Sequence, residues 1–272
     1  MDLFERTCST IRNNRLLRQN DRFWDLVRPI YDRLLILLFG RNGLERTING
    51  TDSLRLMPSL RWTSVIYEPD VWPLIMQEIH RDDRVADIGA YIGLYTVAIA
   101  KRLESTGKVY AFEPEPNNFL KLKAHIHMNR VTEKVELFNA AVTSCDRMVP
   151  FIVGRRDQSY VAAPQTNSVK LVQSVCLDSV FAKKELDIIK IDVEGYEEEV
   201  LRGGLNLLND RCRSPRMIFI EVHPYAWHII GTTSDSLILL LEECGYRTLG
   251  IDLHPVKQIN AYGNIIASKI HQ

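Results

Sequence analysis

From Arg84 onward the chain repeats one pattern: a short apolar run, a stretch with helical spacing, then another apolar run. The runs are RVADIG, KVYAFEP, KVELFNAAV, LDIIKIDVE and RMIFIEVH, and helices are predicted to begin near Ile92, Glu115, Tyr196 and Ser234. Strands separated by helix-length connections cannot pair as hairpins, so they build a parallel sheet with helices on both faces. Two closing runs, YRTLGID and NIIASKI, are joined through a polar turn and predict one edge strand running antiparallel. Residues 143–179 are less regular and predict an inserted hairpin or flap. Within it, RRDQSY at 155–160 reads either as a contact for a hydroxylated substrate or as a solvated turn.

Residues 1–66 read differently and are expected to form a mainly helical cap or substrate-side lid, with residues 67–272 as the main domain. DRFWDLVRPIYDRLLILLF predicts a helix that Pro29 kinks or divides. RTINGTDSLRLMPSLRW then predicts short strands and turns, and EPDVWPLIMQEIH a short helix. The run LLILLFG falls far short of the roughly 20 residues of a membrane span. It is expected to face the core; contact with a membrane or a greasy substrate is the other reading.

Lysine plus arginine and aspartate plus glutamate both number 34, so no overall field points to nucleic acid or an acidic membrane surface. Five scattered cysteines without a C-x-x-C pair predict buried thiols in a reducing compartment rather than a disulfide framework or zinc ribbon. The amino-terminal residues are polar and mixed in charge, unlike a secretory signal, and the expected location is the cytoplasm.

The first strand runs into Asp87-Ile88-Gly89-Ala90-Tyr91-Ile92-Gly93. In an open parallel sheet, ligands bind where strands end and helices begin. Gly89 permits a tight turn and a close ligand approach, and Gly93 lets the next helix pack close to the strand. The spacing is not G-x-G-x-x-G, and Asp87 repels a pyrophosphate, so a ligand with a cationic or amino-acid portion fits better. Glu113 ends the second strand about 20 residues later, where an acid can accept two hydrogen bonds from a ribose diol. Asn139, ending the third, is placed to meet an adenine edge.

DIGAYIGLYT, VYAFEPEP, LDIIKIDVEGYEEEVLRGG and IFIEVH, in this order, resemble the FkbM-type S-adenosylmethionine-dependent methyltransferases over roughly residues 67–269. The resemblance implies a Rossmann-like fold with a seven-stranded, mostly parallel sheet. It also implies S-adenosylmethionine as cofactor and, as acceptor, a hydroxyl on a sugar, polyketide or other natural product. Tyr91 replaces the small polar residue common in the family and is expected to face the cofactor. Glu68, in IYEP, suits the ammonium at the methionine end.

The fourth strand delivers Lys190, Asp192, Glu194 and Glu197, and the fifth Glu221 and His223. Neighbouring parallel strands end on one rim, so Asp192, Glu194, Glu221 and His223 are expected to surround the transferred methyl. Two mechanisms fit. His223 or a carboxylate takes the hydroxyl proton, the favoured reading; or Asp192, Glu221 and His223 hold magnesium or manganese, which acidifies the acceptor oxygen. Glu197 and Glu198 read as helix caps, and buried Lys190 is expected to pair with Asp192 or Glu221. His125 and His127 read as surface residues. A nitrogen acceptor, a nicotinamide-dependent oxidoreductase and a non-catalytic cofactor-binding module are the competing functions.

Overall fold

The computed structural model describes residues 21–152, 160–161 and 170–270. The chain opens with helix α1 (Asp21–Phe39), then strands β1 (Leu44–Ile48) and β2 (Asp52–Leu56) and helix α2 (Trp72–Glu78). The alternating part follows: β3 (Arg84–Ile88), α3 (Leu94–Arg102), β4 (Lys108–Phe112), α4 (Pro116–Met128) and β5 (Val135–Phe138). Four short strands come next, β6 (Ala141–Val142), β7 (Arg147–Ile152), β8 (Tyr160–Val161) and β9 (Lys170–Val175), and then helix α5 (Leu177–Val180). The chain continues with β10 (Ile188–Ile191), α6 (Glu197–Arg202), α7 (Leu205–Asn209), β11 (Met217–Val222), α8 (Pro224–Trp227), α9 (Ser234–Glu243), β12 (Tyr246–Gly250) and β13 (Gly263–Lys269).

The main sheet has seven strands in the order β12-β13-β11-β10-β3-β4-β5. Strand order reverses between β3 and β10, which pair in parallel, and this is the switch point at which such folds bind ligands. The central strands are buried on both faces, which is why they read as near-continuous apolar runs. Side chains alternate between two cores. Ala86, Ile88, Phe112, Ile189 and Ile220 meet α6 and α9, whereas Val85, Val109, Ile188 and Phe219 meet α2, α3 and α4. The topology is that of the Rossmann-like methyltransferase fold. One detail differs from expectation: the reversed strand is β13, antiparallel to both β11 and β12, and β12 takes the edge. Folding the terminal hairpin inward covers both sides of the apolar β13, whose Ile265, Ile266 and Ala267 are buried.

The amino-terminal hairpin turns on Asn49 and Gly50, both with positive φ, as a tight two-strand turn requires. Its Ile48, Leu54 and Leu56 enter the core shared with α3 and α4. His125 is the clip. Its Nδ1 lies 2.7 Å from Ile92 O, and its Nε2 accepts the Met57 amide at 3.0 Å. The ring is wholly buried, not on the surface as expected, because the hairpin covers that face of α4; His127 is exposed.

Helix α1 runs through Pro29 without being divided. Leu35 is buried, but Ile30, Leu34, Ile36, Leu37 and Leu38 are exposed, so the helix is not the core-facing element expected. No helix among the described residues is long and apolar enough to cross a membrane. The irregular segment forms a second sheet, ordered β6-β9-β7-β8; residues 155–159 of its polar loop lie outside the described residues. Buried thiols are found only at Cys244 among the described cysteines. Cys145 and Cys212 are exposed and Cys176 is half-buried, because they sit at turns and element ends rather than on core faces.

Candidate active site

A cavity of about 500 Å³ opens at the carboxyl ends of β3, β4, β10 and β11. Its floor is the glycine turn. Gly89 has φ +81°, and a Cβ there would stand 1.7 Å from the carbonyl oxygen of Asp192. Only glycine lets these two strand tips meet backbone to backbone. The Gly89 and Ala90 amides both donate to Phe112 O, at 3.0 and 2.9 Å, which ties the turn to β4. Gly93 also has positive φ, but its missing Cβ makes room for Leu122 of α4, whose Cδ1 a Cβ there would approach to 2.4 Å, and it does not line the cavity.

Glu113 faces the turn. Its carboxylate accepts the Tyr91 amide on one oxygen and the Glu115 amide on the other, each at 2.8 Å. Burial pushes its pKa up to about 8 against the pull of these two amides. Each carboxylate oxygen keeps a lone pair free. Tyr91 lines the cavity, with φ +50°. Asn139 does not, contrary to expectation: its amide donates to the carbonyls of Glu113 and Pro114, at 2.8 and 3.3 Å, and fixes the loop from behind. Beside Glu113 the wall is apolar, made by Ile88, Pro114, Ala140, Ala141 and Val142.

Period-two alternation sends Lys190, Asp192 and Asp87 to the same face of the sheet as Ile188 and Val85. Asp87 is fully buried beneath the turn, not on the cavity wall; one oxygen accepts Thr96 Oγ1 at 2.5 Å and the other has no hydrogen-bond partner. Burial raises its pKa, with Lys190 opposing. Lys190 pairs with Asp192 at 3.3 Å and lies 4.9 Å from the centre of the Tyr95 ring. Burial alone would lower the Lys190 pKa, but Asp192, Asp87, Glu68 and Glu221 outweigh it and hold the ammonium charged. Glu68, at φ +40°, lines the cavity and accepts the Tyr95 hydroxyl at 2.7 Å.

Across the cavity stands His223, 2% exposed. Its Nδ1 is 2.8 Å from Glu197 Oε1, which also accepts the Gly195 amide at 2.9 Å; Oε2 accepts Trp227 Nε1 at 2.8 Å. Glu197 is therefore more than the helix cap its position suggested. A carboxylate only accepts, so Nδ1 carries a proton and Nε2 is the ring's variable nitrogen. Nε2 lies 3.6 Å from Glu194. Glu194, at φ +54°, accepts the Tyr225 hydroxyl at 2.6 Å, and Glu221 accepts the Tyr262 hydroxyl. Burial and the neighbouring Asp192 push Glu221 up to about 7.

The structure thus brings Glu68, Gly89, Tyr91, Glu113, Asp192, Glu194, Glu221 and His223 to one cavity. Sequence reasoning read Glu197 only as a helix cap and missed Tyr225 and Tyr262; the only local signal was the closeness of Tyr225 to His223 in HPY. Asp192, Glu221 and His223 do not form a ligand cage. Among the described residues no three His, Cys, Asp or Glu side chains are grouped to hold a metal ion. Lys190, Tyr262 and Glu197 respectively engage the three.

The methyltransferase FkbM domain model matches residues 87–248. Hexuronic acid methyltransferase AglP of Haloferax volcanii is 27% identical over 164 residues, covering 57% of this chain and 62% of that protein. Similar solved structures include an S-adenosylmethionine-dependent O-methyltransferase from Thermotoga maritima, with TM-score 0.46 and 14% identity over 79% of this chain and 69% of that one. Another is the ribosomal protein L11 methylase of Lactobacillus delbrueckii subsp. bulgaricus, with TM-score 0.45 and 14% identity over 80% and 86%. The domain match begins at the aspartate under the glycine turn and runs past both acid-bearing strand tips into the terminal hairpin, more than half of the chain, and the chain belongs to the FkbM methyltransferase family.

Proposed function

We propose that this methyltransferase moves the methyl group of S-adenosylmethionine to a hydroxyl of a sugar-type acceptor, with His223 as the base. The observation that carries this reading is the buried His223–Glu197 contact, which leaves one imidazole nitrogen turned toward a cavity that also holds the glycine turn. The relative named for hexuronic acid supports a sugar acceptor.

The residues present suit the cofactor. The wall at Pro114, Ala140, Ala141 and Val142 is apolar, which suits a purine face, and Glu113 has acceptor capacity for a ribose diol. Carboxylates at Glu68 and Asp192, and the unpartnered oxygen of Asp87 beneath the turn, favour a ligand bearing cations over one bearing phosphates. When bound, S-adenosylmethionine supplies an electrophilic methyl on a sulfonium.

His223 Nε2 takes the proton of the acceptor hydroxyl as the oxygen becomes nucleophilic. Glu197 holds the ring in one tautomer and stabilises the imidazolium that forms, as a buried acid behind a histidine does. Glu194 and Glu221 accept hydrogen bonds from the acceptor and fix its orientation, which contributes as much as the base itself. Calorimetry with S-adenosylmethionine and mass spectrometry of a glycoside panel test the proposal. Absence of cofactor binding, or of a one-methyl gain on any hydroxylated acceptor, refutes it.

A further inference from the structure

The charge on the cavity wall is one-sided. Five acids, Glu68, Glu113, Asp192, Glu194 and Glu221, line it, and among the described residues no lysine or arginine does. The nearest ammonium, on Lys190, is buried and engaged by Asp192 and the Tyr95 ring. S-adenosylmethionine brings a net charge of one, too little to balance that wall. The acids already oppose one another's ionisation, since Asp192 helps raise both Glu113 and Glu221 after burial has done so.

At the His223 end the carboxylates and the tyrosine oxygens accept, and the imidazole is the one group that donates, once protonated. Tyr225 and Tyr262 each spend their hydroxyl proton on a glutamate, leaving oxygen lone pairs toward the cavity. Both rings are about three-fifths exposed and flank the imidazole, with centroids 5.7 and 5.4 Å from it. Such a wall rewards a molecule with several hydroxyl donors and apolar ring faces. Among the described residues the one cation it can present to an anion is protonated His223, and Glu194 and Glu197 already flank that ring.

Building on the reading above, we infer that the acceptor is an uncharged polyol, a neutral sugar unit whose flanking hydroxyls donate to Glu194 and Glu221, and that these two residues reject acceptors carrying a carboxylate or phosphate beside the methylated hydroxyl. A second negative charge there would stand within several ångströms of two acids in a partly dehydrated cavity, where like charges repel strongly. Rejection by an unpaired charge is a common source of specificity. The sugar acid named for the relative therefore does not transfer to this chain.

The test uses the full chain, S-adenosylmethionine and four matched glycosides: a hexoside, its uronoside, its phosphate ester and its amino analogue. Release of S-adenosylhomocysteine is followed. The neutral hexoside is expected to exceed the uronoside and the phosphate in kcat/KM by roughly tenfold or more. Glu194→Gln and Glu221→Gln, checked by circular dichroism and cofactor calorimetry, are each expected to narrow that gap by several-fold, as is added salt. Equal or better use of the uronoside overturns the inference while leaving methyl transfer standing, as does an unchanged gap in both variants. Tenfold preference for the amino analogue overturns the claim of an uncharged acceptor. Failure of all four glycosides, with cofactor binding intact, removes the sugar reading and this inference with it.

Discussion

The Glu197 carboxylate and the His223 imidazole meet at 2.8 Å in the interior, and both oxygens of Glu197 are engaged. Burial alone would lower the His223 pKa; the Glu197 hydrogen bond and charge, with Glu194 and Asp192 behind them, raise it above 6.5 instead. A base must be neutral to take a proton, so kcat/KM is expected to rise with pH through this elevated value. Glu197→Gln removes the stabilising charge and is expected to move the acidic limb to lower pH and to reduce kcat. A limb that stays in place would show that another group titrates.

Removing the imidazole separates chemistry from binding. His223→Ala is expected to lower kcat by roughly 10²–10⁴, while S-adenosylmethionine affinity stays within about threefold by calorimetry, because the wall proposed for the cofactor lies on other strands. A matching loss of cofactor affinity would place His223 in binding instead.

Glu113 should behave in the opposite way. A ribose diol would make two hydrogen bonds to Glu113, each contributing about 0.5–1.5 kcal/mol, so Glu113→Ala is expected to weaken S-adenosylmethionine roughly 10- to 100-fold. Titration calorimetry reads this directly; an unchanged Kd would contradict the ribose role.

The two glycines of the turn differ in what they meet. Gly89→Ala sets a methyl against the Asp192 backbone, whereas Gly93→Ala meets the flexible end of Leu122. Both positions have positive φ, so both substitutions cost stability. Gly89→Ala is expected to cost more than about 3 kcal/mol and to abolish cofactor binding. Gly93→Ala is expected to cost less and to keep measurable binding. Urea unfolding of both variants gives the comparison.

The central strands, the glycine turn and the acid-bearing tips were legible because each depends on residues close in sequence: alternation, a φ that glycine supplies, a strand ending in Asp or Glu. What failed depends on distant partners. Glu197 looks like a cap from its place in α6, but Gly195, His223 and Trp227 claim its oxygens, the last from 30 residues away. Tyr262 reaches Glu221 across 41 residues. His125 has charged sequence neighbours, and its burial comes from a hairpin some 70 residues earlier. The order of the last two strands was ambiguous for a simpler reason: a terminal hairpin satisfies the same alternation whichever arm lies inside.

Placing β12 at the rim and β13 inside has a practical reach. The connection between them is pinned where the Ile259 amide donates to Ser234 Oγ at 2.7 Å; residues 260–262 beyond that pin are exposed. This short stretch delivers Tyr262 to the Glu221 and His223 side of the cavity without crossing any strand that carries Gly89 or Glu113. Protein engineers can randomise it while the strands that carry the glycine turn and Glu113 are left untouched.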